Sequence, residues 1–339
     1  MDQHFITIYY ETFKVYGARI DMVAPGNDEE SYRRQLEPVT KKGRRIEISF
    51  KDLKFEDALK DILQQLTQDI TSKIILTIVG YGPFEFGSEQ MKVADSAREP
   101  ARGHNLREIV EPRLLELGGD HQIEYITDAM AVACAGFWEG YVPSKDESRS
   151  YTTASIIGGA GIGGAVVQRY GRVIGLAHHS EFGHIRIHID KDDRYPRSIC
   201  TDHGGCLQGV ASWAALEARA KRYGFDTLTP LFKDPEHVLW TVQARYFSQA
   251  VQNLMFTTPP YKIVVAGSMF ELAPWLIGKI MDDLRSEDGI GSKFLYPAAQ
   301  KDDFIVYKSL TDEALLGGIH HGLGWAQSRP TAWRREVVA

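Results

Sequence analysis

Cysteine is scarce: only Cys134, Cys200 and Cys206 occur in 339 residues. An odd count this small excludes a disulfide framework and fits a reducing compartment better than a secretory one. Basic residues are not in excess, and a net charge of −6 leaves no electrostatic footprint for nucleic acid. Long apolar runs are missing as well. Ile74 to Val79 is far too short to span a bilayer, and the opening MDQHFITIYYE has neither the basic region nor the apolar stretch of a signal peptide. Cytoplasmic residence away from membranes is the resulting expectation. What remains is an ordinary globular composition, 43% apolar and 25% charged, in a chain long enough for two cores.

Two hairpin patterns each head a longer α/β stretch: Phe5 to Tyr10 with Lys14 to Val23, and Tyr151 to Ile157 with Gly164 to Gln168 and Gly171 to Ile174. After the first, Phe55, Leu59, Ile62, Leu63, Leu66 and Ile70 keep helical spacing. A β-branched strand at Lys73 to Val79 follows, then a helix that Pro112 is expected to interrupt, a strand at Ile123 to Ile126, and a helix opening after Asp128. Later the pattern is helical from His237 to Phe256 and returns to strand at Tyr261 to Ala266. The repetition predicts two related α/β halves facing a cleft, with domains at 1–128 plus 313–339 and at 129–312. The polar run Pro143 to Ser150 is expected to be an exposed linker loop.

The densest chemistry lies between Glu181 and Cys206. His184, Cys200, His203 and Cys206 supply four N/S donors, the set that a closed tetrahedral Zn²⁺ site takes. Surface histidines beside two buried thiols are the alternative, though two of the three cysteines fall in this one cluster. With His184 on a metal, Glu181 is held beside it and can face a ligand. Cys134 lies among small residues and reads as a packed helix position rather than a nucleophile.

Gly159, Gly161, Gly163 and Gly164 punctuate the second hairpin. The literal GxGxxG spacing does not make a dinucleotide site, because Ala165 to Gln168 continues as a strand rather than a helix. Glycines in such a turn still let backbone N–H groups converge on a phosphate, and a hairpin turn without ligand is the alternative. Asp128, after a β-branched strand and before a helix, is a candidate general base; helix capping is the competing role.

These residues, in order, resemble the ROK family of repressors, open reading frames and sugar kinases. Thr127-Asp128, His179 to His184 and Cys200 to Ser212 are similar to its bacterial fructokinase-like branch, and Gly80 to Pro83 and Leu315 to Gly318 fall where it has turns. The resemblance implies an α/β actin-like ATPase (ribonuclease H-like) fold with two α/β domains around a central cleft. It implies Asp128 as the base that takes a sugar hydroxyl proton, and Asn105, Thr127, Glu181, His184 and Gln208 as sugar contacts. Gly159, Ala160, Gly161, Gly163, Gly164 and Gly267 would bind nucleotide. Structural Zn²⁺, Mg²⁺ with ATP, a hexose or related polyol and a homodimer complete the expectation.

The sequence also departs from that family. Its first hairpin reads Tyr10-Glu11-Thr12-Phe13-Lys14 where an aspartate and a Gly-Gly-Thr turn are usual, and side chains from Tyr10 to Phe13 are expected to obstruct phosphate. Ala160 replaces a threonine, Ser268-Met269 a glycine and a small residue, and Gln208 a glutamate. Two readings stay open: an ATP-dependent sugar kinase, and a non-catalytic pseudokinase that binds sugar as a sensor or partner protein. A repressor is expected least, because the first hairpin begins the sequence without a helix-turn-helix ahead of it.

Overall fold

The computed structural model describes residues 3–22, 39, 45–51, 53–82, 92–94, 99–118, 121–140, 151–170, 173–176, 180–193, 198–201, 204–286 and 297–328. The chain divides into two compact units, 1–147 with 172–174 and 311–339, and 148–171 with 175–310.

The first unit is built on a sheet ordered β3-β2-β1-β4-β5. Its strands are β1 (Gln3–Tyr10), β2 (Lys14–Met22), β3 (Ile46–Ser49), β4 (Ile74–Gly80) and β5 (Gln122–Thr127). β1 pairs antiparallel with β2 and parallel with β4, which pairs parallel with β5. Every residue of β4 is buried, as its apolar sequence, broken only by Thr77, requires of a central parallel strand covered on both faces. Helix α1 (Phe55–Leu66) buries Phe55, Ala58, Leu59, Ile62, Leu63 and Leu66 along one stripe. Ile70 is buried beyond the helix: Thr67 donates its hydroxyl to Leu63 O and the chain turns there.

Helix α2 (Leu106–Leu117) runs through Pro112 without interruption, against expectation. A proline inside a helix costs roughly 3 kcal/mol. Burial of Leu106, Ile109, Val110 and Leu114 on the same helix offsets that. Helix α3 (Asp128–Gly140) belongs to the first unit, so the division falls after residue 147 whereas the pattern drew it at 128/129. The physical reason is close packing of small residues against helix α9 (Leu310–Ser328): a Cβ on Gly317 would lie 1.9 Å from Ala131 O. Gly317 and Gly318 are therefore helical contact points and not the turn that the resemblance suggested. The expected linker, Pro143 to Ser150, lies outside the described residues.

The second sheet has the order β10-β9-β6-β7-β8. Its strands are β6 (Tyr151–Gly158), β7 (Ile162–Tyr170), β8 (Val173–Leu176), β9 (Lys262–Ala266) and β10 (Ile305–Tyr307). β6 pairs antiparallel with β7 and parallel with β9, which pairs parallel with β10. Read from the hairpin edge, both sheets follow one order, third-second-first-fourth-fifth, so the two halves repeat a topology as expected. Helices α4 (Leu207–Ala211), α5 (Trp213–Arg222), α6 (Val238–Thr257), α7 (Ser268–Leu272) and α8 (Leu276–Arg285) complete the unit. The core gathers Trp240, Phe247 and Phe270 from α6 and α7 with Ile263 and Val265 from β9. Among the described residues, no helix is long and apolar enough to cross a membrane.

Candidate functional site

In the second unit, three segments are stitched together around His184. The chain at Ile185 to Ile187 runs antiparallel to Gly205 to Leu207, through Ile187 N to Gly205 O and Leu207 N to Ile185 O, both within 3.0 Å. That pairing sets Cys206 beside His184. Ile199 N donates to Gly209 O at 3.0 Å and brings Cys200 to the same place. Gly209 has to be glycine, since a Cβ there would lie 1.7 Å from Ser198 Oγ and 3.0 Å from Cys200 Cβ.

The result is a ligand set. His184 Nδ1 lies 3.8 Å from Cys200 Sγ and 3.9 Å from Cys206 Sγ, and the three donor atoms all fall within 4.8 Å of one another. With Zn–S near 2.3 Å and Zn–N near 2.0 Å, tetrahedral angles put neighbouring donors about 3.5–3.8 Å apart, so the spacing fits such an ion. Burial pushes the Cys206 thiol up, and the neighbouring Cys200 adds to this, while the Gly209 N–H opposes it. Two adjacent thiols resist joint ionisation unless a cation compensates them, which a metal does. The group could hold a metal ion; His203, the expected fourth ligand, lies outside the described residues. Cys134, the other thiol, is buried and pushed up to about 12, as an inert core residue should be.

With Nδ1 facing the sulfurs, His184 turns Nε2 toward Glu181, 3.7 Å from Oε2. The 3₁₀ turn Phe182–His184, closed by His184 N to Glu181 O at 2.8 Å, fixes that arrangement. Glu181 is the more exposed partner, 47% against 23%, so its carboxylate faces outward. This turn sits tightly on the β6–β7 hairpin. A Cβ on Gly164 would come 2.4 Å from the Phe182 ring, and one on Gly183 would come 2.1 Å from Ile162 O. Gly164 therefore serves packing, and Gly163 is an ordinary ladder partner of Ile157.

Gly159, Ala160 and Gly161 form the turn between β6 and β7, closed by Gly159 N to Gly161 O at 2.9 Å. Gln208 reaches this turn, its Oε1 accepting from Ile162 N at 3.1 Å. Gly267, with φ +92°, ends β9 beside the same place, Gly158 O lying 2.6 Å from where its Cβ would stand. Trp213, which the sequence reading passed over, joins the two turns: its N donates to Gly159 O and its Nε1 to Ser268 Oγ at 2.7 Å. Its sequence signal is an aromatic residue directly after Ser212, the last residue of the stretch similar to the fructokinase-like branch.

In the first unit, Thr127 and Asp128 both engage the backbone at the start of α3. Thr127 Oγ1 accepts from Met130 N at 3.1 Å and caps α3, while Asp128 Oδ1 accepts from Ala129 N at 2.8 Å. The carboxylate charge is felt nearby: burial first, then Glu11 and Asp128, hold the Tyr9 hydroxyl well above its ordinary range. Asn105 is the N-cap of α2, accepting from Glu108 N and donating to Glu108 Oε1, so its amide is engaged on its own helix.

The β1–β2 turn differs from the expected obstruction. Tyr10 points inward, fully buried, and its hydroxyl meets Tyr125 Oη at 2.9 Å; Phe13 is the exposed aromatic. Glu11 stands at the turn, accepting from Thr311 Oγ1 at 3.1 Å, and burial raises its carboxyl above the usual range. Arg45 pairs with Asp312 at 2.6 Å and lies over the Tyr16 ring. A carboxylate held by hydroxyls is a poor seat for phosphate oxygens without a metal between them.

Comparison with known proteins fits this arrangement. The ROK family profile matches residues 53–314, most of the chain. The chain belongs to the ROK family. A fructokinase of Lactococcus lactis subsp. cremoris is 38% identical over 113 residues, 33% of this chain and 37% of that protein. A putative fructokinase of Bacillus subtilis (strain 168) is 33% identical over 150 residues, 44% of this chain and 46% of that protein. The chain thus spans less than half the length of each of these two relatives. Among solved structures, a ROK hexokinase from Thermus thermophilus is similar with a TM-score of 0.65 at 15% identity, over 96% of this chain and 99% of that one. At that identity the likeness establishes the fold, which is the ROK variant of the actin-like ATPase.

Proposed function

We infer that the protein is an ATP-dependent sugar kinase of ROK type acting on a hexose or related polyol, with fructose the first candidate because the sequence relatives named above are fructokinases. The observation that carries the reading is His184 facing two thiols through Nδ1 and a carboxylate through Nε2. A metal on Nδ1 leaves Nε2 as an N–H donor, and Glu181 accepts from neighbouring hydroxyls, a pairing suited to a polyhydroxylated ligand. Zn²⁺ fits the donor set, held by His184, Cys200 and Cys206 with His203 as fourth ligand; its chemistry there is to fix the loop. Asp128 takes the proton of the reacting hydroxyl while that oxygen bonds to the γ-phosphorus of ATP and the bond from that phosphorus to the departing ADP oxygen breaks. Positioning, more than basicity, carries the rate. ATP with Mg²⁺ supplies the phosphoryl group, and the turn at Gly159 to Gly161 with Gly267 is assigned to it. Thr127 stays a candidate sugar contact through its hydroxyl, and a homodimer, checked by light scattering, is part of the same proposal.

The test is sugar-dependent ADP release, abolished in Asp128→Asn without unfolding. Absence of turnover across hexoses, amino sugars and cyclitols would overturn the kinase reading. One observation favours a second reading, a sugar-binding pseudokinase: Glu11, and no glycine, occupies the β1–β2 turn. It predicts thermal stabilisation by sugar with none by Mg-ATP, since a ligand stabilises only a state that binds it.

A further inference from the structure

The N-terminal end of the first sheet carries a second cluster of reactive groups, at the other end of the parallel strands from Asp128. His4, near the start of β1, stands directly opposite Asp21 of β2, and its N donates to Lys73 O at 3.1 Å, which sets Ser72 next to it. Cross-strand partners share one face of a sheet, so the imidazole meets the carboxylate: His4 Nδ1 lies 2.6 Å from Asp21 Oδ1. The other ring nitrogen, Nε2, lies 2.7 Å from Ser72 Oγ. From His4 to Glu11 the chain advances about 23 Å at roughly 3.3 Å per residue, so this cluster is separate from the groups assigned to sugar phosphorylation.

The chemistry of the partners fixes the protons. A carboxylate only accepts, so Nδ1 carries the hydrogen, and Nε2 of the neutral ring accepts from the Ser72 hydroxyl. Arg19 holds Asp21 in place, its Nε and Nη2 reaching the two carboxylate oxygens at 2.7 and 3.0 Å, and is itself anchored on Asp69 and Leu66 O. Partial burial opposes ionisation of Asp21, yet Arg19 and His4 hold its carboxyl below the usual range. An orienting anion, an imidazole and a half-buried serine hydroxyl thus stand in the order that activates a nucleophile. Among the described residues, Thr71 N and Ser72 N form no hydrogen bond, which leaves two backbone donors beside that hydroxyl for a developing oxyanion.

We propose that Ser72 is a nucleophile activated by His4 and Asp21, forming a second catalytic site that takes small carboxylic esters. Ser72 Oγ bonds to the acyl carbon while His4 Nε2 takes its proton. The bond from that carbon to the leaving oxygen breaks, and His4 returns the proton to the departing alcohol. Water, giving its proton to the same nitrogen, then attacks the acyl-serine, releases the carboxylic acid and restores Ser72. Arg19 shares the charge of Asp21 and limits the basicity lent to His4, so an ester with a good leaving group is the substrate class.

The experiment treats the full chain with a fluorophosphonate, which loses fluoride as the serine oxygen bonds to phosphorus, and follows hydrolysis of p-nitrophenyl acetate by absorbance. The expected result is one phosphonyl adduct per chain, mapped to Ser72 by peptide mass, and release of p-nitrophenolate that the adduct abolishes. Ser72→Ala loses both. His4→Gln, which keeps hydrogen-bonding capacity but takes up no proton, labels about a hundredfold more slowly, the usual share of a general base. Because the adduct is read on the wild type, the test holds even if a variant melts early. No adduct at Ser72, or labelling at an equal rate in His4→Gln, overturns the proposal and leaves the kinase reading as it stands, since Asp128 and Glu181 take no part.

Discussion

Asp193 stands in the loop that runs from His184 to Cys200, and its carboxylate is fully buried against Arg219, itself 1% exposed. Arg219 Nη1 reaches Asp193 Oδ2 at 3.4 Å and also Val210 O, while Nη2 donates to Gln243 Oε1. Gln243 in turn donates to Ala211 O, and Tyr246 donates to Asp193 Oδ2 at 2.6 Å. The cluster thus ties Asp193, between His184 and Cys200 in sequence, to the end of α4, the helix that Cys206 caps and that carries Gln208. Asp193→Asn keeps the volume and the acceptor for Tyr246 and removes only the charge. The guanidinium, already lowered in pKa by burial, then has neutral partners alone. Leaving one member of a buried pair uncompensated costs about 3–5 kcal/mol, and the 3.4 Å separation places this case toward the lower end. Urea unfolding followed by tryptophan fluorescence should show an earlier midpoint at unchanged slope for the transition of the second unit. In an Arg219→Met background the same substitution should be nearly neutral, because the charge it compensates is gone. A loss below about 1 kcal/mol in the native background, or an equal loss in both, would refute this account of the loop anchor.

Three further predictions follow from individual sites. His320, 2% exposed and stacked on Trp138, is pushed by burial down to about 3. The unfolded chain takes its proton near pH 6.5, so stability present above that pH is lost as pH falls toward 3, by up to about 1.4 kcal/mol per unit. Urea midpoints at several pH values check this, and a His320→Phe variant should show a flatter profile. Cys206→Ser should abolish binding of about one zinc per chain and lower the melting temperature, read by metal analysis and calorimetry. Gly183→Ala, whose Cβ would lie 2.1 Å from Ile162 O, must push the 181–184 turn off the hairpin. It should cost roughly 1–3 kcal/mol and remove sugar-induced thermal stabilisation.

Much of the architecture was legible because period and punctuation agree locally. The β1–β2 and β6–β7 hairpins, the stripe of α1 and the buried strand β4 all follow from short-range pattern. Where packing overrides a local signal, the pattern misleads: Pro112 stays inside α2, and Gly317 sits inside a helix because Ala131 approaches it. The same cause moves the division of the chain past α3. At the site, the spacing of His184, Cys200 and Cys206 identified a donor set that the structure brings together. Glycine alone could not say whether a turn serves a ligand or a neighbour; Gly164 and Gly183 turn out to admit Phe182 and Ile162. The Arg219–Asp193 cluster and the Trp213 bridge join residues distant in sequence, and no local spacing encodes such pairs.

Calorimetric titration of fructose into the metal-loaded protein, and into the same protein stripped by a chelator and shown to remain folded, asks whether a metal on His184 is what makes the sugar site. Saturable heat with loaded protein, lost on stripping and restored by zinc, is the predicted result. Equal binding with and without the metal would contradict it, because His184 would then need no ion to present itself with Glu181.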